Sequence, residues 1–195
     1  IPAAAGLVIA SYDIVNALFG YGSFEKNDVL KTSEALKYFG YGIPAFALVK
    51  VLSNLFFARG NTKTPFYISV IIVFLNVSVS LAFFNKIGFL IIPISTTLST
   101  WIGTFIYFGI LAKKKFYETR GNSTANILKI ILSTTIMSIF LLIALNYFSS
   151  NLDYSNTYKI FYLMFIVIFS AIVYIVTSYL LGILNLKNYR TFWNE

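Results

Sequence analysis

The chain has 195 residues, 58% hydrophobic and 11% charged, with a mean hydropathy of +0.78 and a net charge of +8. An ordinary water-soluble domain carries about 25% charged residues, so that class is excluded. The absence of Cys and His removes thiolate and imidazole metal sites, cysteine nucleophiles, histidine bases and disulfides.

Six apolar segments follow in chain order: Ile1 to about Ala10, about Ala35 to Ala58, Phe66 to Phe84, Gly88 to Ala112, Ile127 to Tyr147, and Tyr158 to Leu184. A spanning helix needs about 20 mostly apolar residues, and the last five segments meet that need. The runs from Ile127 and Tyr158 are apolar throughout, unlike the alternating strands of about 10 residues in a membrane β-barrel. The reading is an all-α, polytopic transmembrane helix bundle. The first segment is too short, because ten residues rise only about 15 Å against a hydrocarbon core about 30 Å thick. Its other half is expected upstream of Ile1, and with neither Met nor a charged n-region there, no signal peptide is read. The expected organisation is a lobe over 1–112, a cytoplasmic loop over 113–126, two further helices over 127–184, and a cytoplasmic tail over 185–195.

Between the first two spans, Ser11 to Lys31 carries Ile14, Val15, Leu18 and Phe19 at helical spacing, beside Asn16 and before Gly20 and Gly22. A short helix at the membrane interface is expected there, capped by Asp13.

Basic residues in short loops set the orientation. One side carries Arg59, Lys63, Lys113, Lys114, Lys115, Arg120, Lys129, Lys187 and Arg190, opposed only by Glu118 and Glu195. The other carries Lys26, Lys31, Lys37, Lys86 and Lys159, nearly balanced by Glu25, Asp28, Glu34 and Asp153. The cation-rich side is therefore expected to be cytoplasmic, with the C-terminus on it. Topology accounts for the basic residues, and no nucleic-acid partner is read from them. The Asn122-Ser-Thr sequence, on that side, carries no glycosylation reading.

The stretch Thr32-Ser-Glu-Ala-Leu-Lys-Tyr-Phe-Gly-Tyr-Gly-Ile-Pro-Ala-Phe-Ala-Leu-Val-Lys-Val-Leu, running into Phe56-Phe-Ala-Arg-Gly-Asn-Thr-Lys-Thr-Pro65, resembles the MurJ/MviN family of lipid II flippases. Ile1-Pro-Ala-Ala-Ala-Gly, Leu18-Phe19 with Gly22 and Phe24, and Thr96-Thr-Leu-Ser-Thr-Trp101 extend the resemblance over 1 to about 112; beyond that it rests on the two-helix layout. Two positions depart from the family pattern: Asn61 stands in place of an acid, and Asp13 in place of a proline.

The resemblance implies the last six of fourteen helices of a MOP-superfamily exporter in a bacterial inner membrane. It implies alternating access around a cationic cavity, with lipid-linked peptidoglycan precursor as substrate and a missing N-terminal lobe as partner. It implies no enzyme activity and no cofactor, with a sodium ion or the membrane potential as driving force. The two helices of 127–184 would form a groove for the lipid tail, whose other partners are the membrane lipids.

Several residues are singled out. Lys50 lies inside an apolar segment, where a cation usually faces a cavity or partner. With Arg59 it is expected to line the substrate cavity; the competing reading is a snorkelling lysine. Gly40, Gly42 and Pro44 form a candidate hinge, against a static proline kink. Asn76 and Ser80 lie one turn apart and are expected to face a stripe of Thr96, Thr100 and Thr104. By the resemblance Asn76, Ser80, Thr96 and the carbonyl of Ile92 stand at a sodium site. Ser80 replaces an acid there, however, and a hard cation prefers charged oxygens, so packing glue between helices is the competing reading.

The rivals are an exporter of another polyprenyl-linked oligosaccharide or of small cationic drugs, a non-transporting membrane scaffold, and a membrane enzyme acting on polyprenyl phosphate. The Pro44 to Pro65 motif argues against a different exporter. The enzyme would need acids or histidines gathered at one membrane face, and none are.

Overall fold

The computed structural model describes residues 1–113 and 123–183, and among them every regular element is a helix. The segments 114–122 and 184–195 lie outside the described residues, and with them Lys114, Lys115, Glu118, Arg120, Asn122, Lys187, Arg190, Glu195 and the tail expected over 185–195.

Helix α1 covers Pro2–Ile9 and α2 covers Ser11–Phe19, meeting at a bend of 69°. Proline suits the first turn of α1, where its missing N–H is not needed. Asp13 is not the cap expected of it. The helix already starts at Ser11, directly after the single-residue break at Ala10, so Asp13 sits in the first turn, where its charge complements the helix dipole.

Helix α3 runs unbroken over Lys26–Phe57, 32 residues. The interfacial segment expected to reach Lys31 therefore ends earlier, at Phe19. Its charged residues from Lys26 onward are good helix formers, and Glu25 and Asp28 form a reciprocal capping box at the start of α3. At about 1.5 Å per residue, α3 is nearly 50 Å long, so its first turns can extend beyond a hydrocarbon core about 30 Å thick.

Helix α4 covers Lys63–Ile87, and α5 covers Ile91–Lys113. The connection between the apolar segments that end at Phe84 and begin at Gly88 lies at Gly88–Leu90, a single 3₁₀ turn, because Gly88 takes the left-handed φ of 74° that ends α4. Helix α6 covers Ser123–Tyr147 and α7 covers Lys159–Leu180.

Among the described residues, four stretches are long and apolar enough to cross a membrane: 26–57, 63–113, 125–147 and 159–180. The second holds both α4 and α5, each rising about 35 Å and thus able to span alone. Five full spans and the short α1 match the six apolar segments of the sequence.

The helices group into two compact units. One contains α3, α4 and α5, around a core of Leu52, Phe56, Ile68, Tyr107 and Leu111. The other joins α1 and α2 to α6 and α7, around Ala10, Ala17, Leu141, Leu152, Leu163 and Ile166. The neighbouring helices α2 and α3, and again α5 and α6, thus fall in different units. On α4, Phe66, Phe74 and Leu81 expose 64%, 69% and 74% of their surface. Such a continuous apolar face suits a hydrocarbon solvent rather than water.

Candidate functional site

Within the first unit, α4 and α5 run antiparallel, and the expected polar cluster forms between them. The Asn76 amide donates to Thr96 Oγ1 at 3.0 Å, while its Oδ1 accepts from Ser95 at 3.0 Å and Ser80 at 3.3 Å. The hydroxyls of Ser80 and Ser95 lie 2.6 Å apart. The Ile92 carbonyl accepts from Thr96 at 2.7 Å and Ser95 at 3.1 Å. The structure thus brings Asn76, Ser80, Ile92 and Thr96 together and adds the fully buried Ser95, which the threonine spacing did not single out. The oxygens of this cluster accept hydrogen bonds from within it, and no carboxylate belongs to it. Among the described residues no three acids or other metal-binding side chains converge.

The threonine stripe does not face α4 throughout. Successive steps of four residues advance about 40° around a helix of 3.6 residues per turn, so the stripe winds away toward α3. Thr104 accordingly donates to the Ala45 carbonyl of α3 at 3.4 Å. Two further donors from α5 join it: Thr97 Oγ1 to the Tyr38 carbonyl at 2.8 Å, and Trp101 Nε1 to the Tyr41 carbonyl at 3.1 Å. The acceptors at 38, 41 and 45 bracket Pro44, where the helix loses one backbone donor. Gly42 makes the approach possible, because a Cβ there would lie 2.7 Å from Thr97 Oγ1. Gly40, Gly42 and Pro44 are therefore gathered at the α3–α5 contact, where side chains from α5 bond to the α3 backbone.

Lys50 and Arg59 are both exposed. Lys50 sits on the side of α3 shared with Phe46, Ala47 and Val51, away from the buried residues Ala45, Leu52 and Phe56. It lies seven residues before the helix end at Phe57, about 10 Å along the axis. Asn61, the departure noted in the sequence, accepts the Thr64 backbone N–H at 3.1 Å and donates to Thr64 Oγ1 at 2.9 Å. Asn and Asp serve this local capping role about equally, so the replacement preserves the turn.

The second unit holds a residue the sequence reading missed and a cleft beside the two helices expected to form a groove. The first is Lys159, counted there as a loop charge but fully buried at the start of α7. Its ammonium donates to the Gly20 carbonyl at 2.7 Å, the Tyr154 carbonyl at 2.9 Å and Asn16 Oδ1 at 3.1 Å. All three of its donors are used. The rings of Tyr21 and Tyr154 stand 4.2 and 4.8 Å from the same nitrogen, within cation–π range. Asn16, 1% exposed, also donates to the Leu152 carbonyl at 2.7 Å, and Tyr154 OH donates to the Phe24 carbonyl at 2.6 Å. The available signal was a lysine opening a long apolar helix, together with Asn16 and Gly20 one turn apart.

The second is a cleft of about 480 Å³ bordered by α1, α2, α6 and α7, with Gly6, Leu7, Met137, Leu141, Val167 and Ala171 among its walls. Ser170 lines it too, but its hydroxyl turns back to the Ile166 carbonyl at 2.7 Å. That volume is typical of small-ligand sites, about 300–1,000 Å³. Its walls suit a hydrocarbon chain and offer nothing to a charged group.

Comparison with known proteins fits these features. The family model described as lipid II flippase MurJ matches residues 1–163. The probable lipid II flippase MurJ of Rickettsia prowazekii is 29% identical over 190 residues, covering 96% of this chain and 37% of that protein. The corresponding protein of Buchnera aphidicola subsp. Schizaphis graminum is 30% identical over 192 residues, covering 97% and 37%. A solved lipid II flippase MurJ in an inward closed conformation superposes with a TM-score of 0.72 at 25% identity, over 91% of this chain and 35% of its own. The chain thus spans a little over a third of the length of these relatives. With its apolar helices and this match across most of its length, the chain is a multi-pass membrane protein and belongs to the lipid II flippase MurJ family.

Proposed function

We propose that this chain forms part of a flippase that moves lipid-linked peptidoglycan precursor across the bacterial inner membrane by alternating access, without chemical change to it. The observation that carries the reading is the family match over residues 1–163. The apolar cleft beside α6 and α7 supports a role in holding the lipid tail, since it excludes the headgroup and accepts hydrocarbon.

In this proposal Lys50 and Arg59 belong to the headgroup cavity. Lys50 stands among exposed apolar side chains about two turns from the helix end, where a cation without a polar counterpart is costly. A pyrophosphate-bearing headgroup, with the rest of the transporter, would supply that counterpart. The backbone around Pro44 is proposed as a fixed kink carried with α5, since bending there would strain three donor contacts. The Asn76 cluster is proposed as a helix clasp, with the membrane potential or an ion bound elsewhere as the driving force. The cation-rich loops, and the C-terminus, are proposed to face the cytoplasm.

The test is translocation of lipid II by the full-length protein in proteoliposomes, with and without Lys50→Ala. Activity lowered about tenfold or more in the variant, at unchanged folding, is expected for a cavity cation with interactions worth over 1.4 kcal/mol. Wild-type protein without translocation would sink the flippase reading, and a fully active variant the role of Lys50.

A further inference from the structure

The buried ammonium of Lys159 joins three parts of the second unit. Asn16 belongs to α2, Gly20 to the turn that ends α2, and Tyr154 to the connection before α7, while Lys159 itself opens α7. Each hydrogen bond goes to a neutral oxygen, two of them backbone carbonyls. Buried charge is tolerated only where its hydration is fully replaced, so the cage has little freedom to loosen without exposing the ammonium. Gly20 fits the same account by a separate observation. A Cβ at that position would lie 2.5 Å from both the backbone carbonyl and Oδ1 of Asn16 and 3.1 Å from Lys159 Nζ, so glycine is what lets the chain close over Asn16 and the ammonium together.

The cage lies on the helices that wall the apolar cleft. Ala10 and Ile14, which precede Asn16, line that cleft, as does α7 from Val167 onward, about 12 Å along the axis from Lys159. The core residues Ala17, Leu163 and Ile166 fill the interval. Whatever fixes α7 against α2 at the cage therefore sets the spacing of the cleft walls.

We propose that Lys159 is a positioning residue: its caged ammonium latches the start of α7 to α2 and thereby holds the apolar cleft at the width that admits a lipid tail. The latch stands on the contacts above, and its consequence for the tail rests on the flippase reading.

The full-length protein in nanodiscs tests both parts separately. Spin labels at the exposed positions Leu18 and Phe161 report the α2–α7 spacing, and a diazirine-bearing polyprenyl phosphate reports occupancy of the cleft by cross-linking. Lys159→Met and Gly20→Ala are expected to broaden the distance distribution and lower cross-linking about tenfold, as loss of charged hydrogen bonds implies. In Lys159→Ala, propylammonium replaces the missing atoms and is expected to restore the narrow distribution, whereas 1-propanol is not. Thr135→Val, on an exposed position of α6 where the hydroxyl bonds to the Ile131 carbonyl of its own helix, is expected to leave both readouts unchanged.

The proposal is overturned if Lys159→Met keeps the wild-type distribution, or if propanol rescues as well as propylammonium, which would reduce the residue to packing. Should Lys159→Met fail to accumulate, Tyr21→Leu removes one ring from a partly exposed position. Broadening there supports the latch, and an unchanged distribution overturns it. Absence of cross-linking in wild-type protein that shows the narrow distribution counts against the tail site and the flippase reading, while the latch stands.

Discussion

The cluster between α4 and α5 spreads its hydrogen bonds over Asn76, Ser80, Ser95 and Thr96, whereas the second unit concentrates three hydrogen bonds and two ring faces on the single nitrogen of Lys159. The hydroxyls of the first cluster keep an alternative if one member is lost, because Ser95 and Thr96 also bond to the Ile92 carbonyl of their own helix. The ammonium keeps only the Tyr154 carbonyl from its own stretch of chain, since its other acceptors come from α2 and from the turn after it. A neutral, shared network is therefore tolerant, and a caged charge is not.

Substitution can break or sharpen that contrast. The largest effect is expected for Asn16→Leu, which removes one ammonium acceptor and orphans the Leu152 carbonyl together. A loss of about 3 kcal/mol or more follows for a buried charge left short of partners, read as the midpoint of unfolding in detergent. Gly42→Ala comes next. Its Cβ would press on Thr97 Oγ1 and displace the donor to Tyr38, costing about 1–3 kcal/mol by overpacking, measured in the same way. Asn76→Leu, in the shared network, is expected to cost only about 0.6–1.7 kcal/mol, the range for hydrogen bonds between membrane helices. Any sodium dependence of translocation by the full-length protein should survive this substitution, and a sodium requirement abolished by it would turn the clasp into an ion site. The smallest effect is expected for Thr104→Val. Its bond to Ala45 is long at 3.4 Å, and its hydroxyl also serves the Thr100 carbonyl at 2.9 Å within α5. A change of about 0.5 kcal/mol is expected. A larger loss would identify that contact as a principal clamp on α3.

Asn76 and Thr96 were legible in the sequence because polar side chains inside apolar spans stand out, and the helical period places them on known faces. Ser95 was not, since nothing in a linear pattern says which of several adjacent hydroxyls points at the neighbour. The threonine stripe was read too simply, because a four-residue step does not match the helical period and carries Thr104 around to α3. Lys159 was misread altogether. By composition it balances Asp153 in a polar connection, and only the arrival of Asn16 and Gly20 from distant positions, beside the nearby Tyr154, makes it a buried group.

Composition and segment length determined the helical, lipid-embedded class, because a hydrocarbon solvent demands about 20 apolar residues per span and every backbone bond satisfied within it. The motif from Thr32 to Pro65 determined the family. Tertiary structure alone decided that α1 and α2 join α6 and α7 in one unit, that α5 stitches to the α3 backbone around Pro44, and that a lysine disappears into a cage. These are contacts between residues 59 to 143 positions apart. Hydropathy and spacing carry no record of which helix turns which face to which partner, so such contacts exist only once the chain has folded.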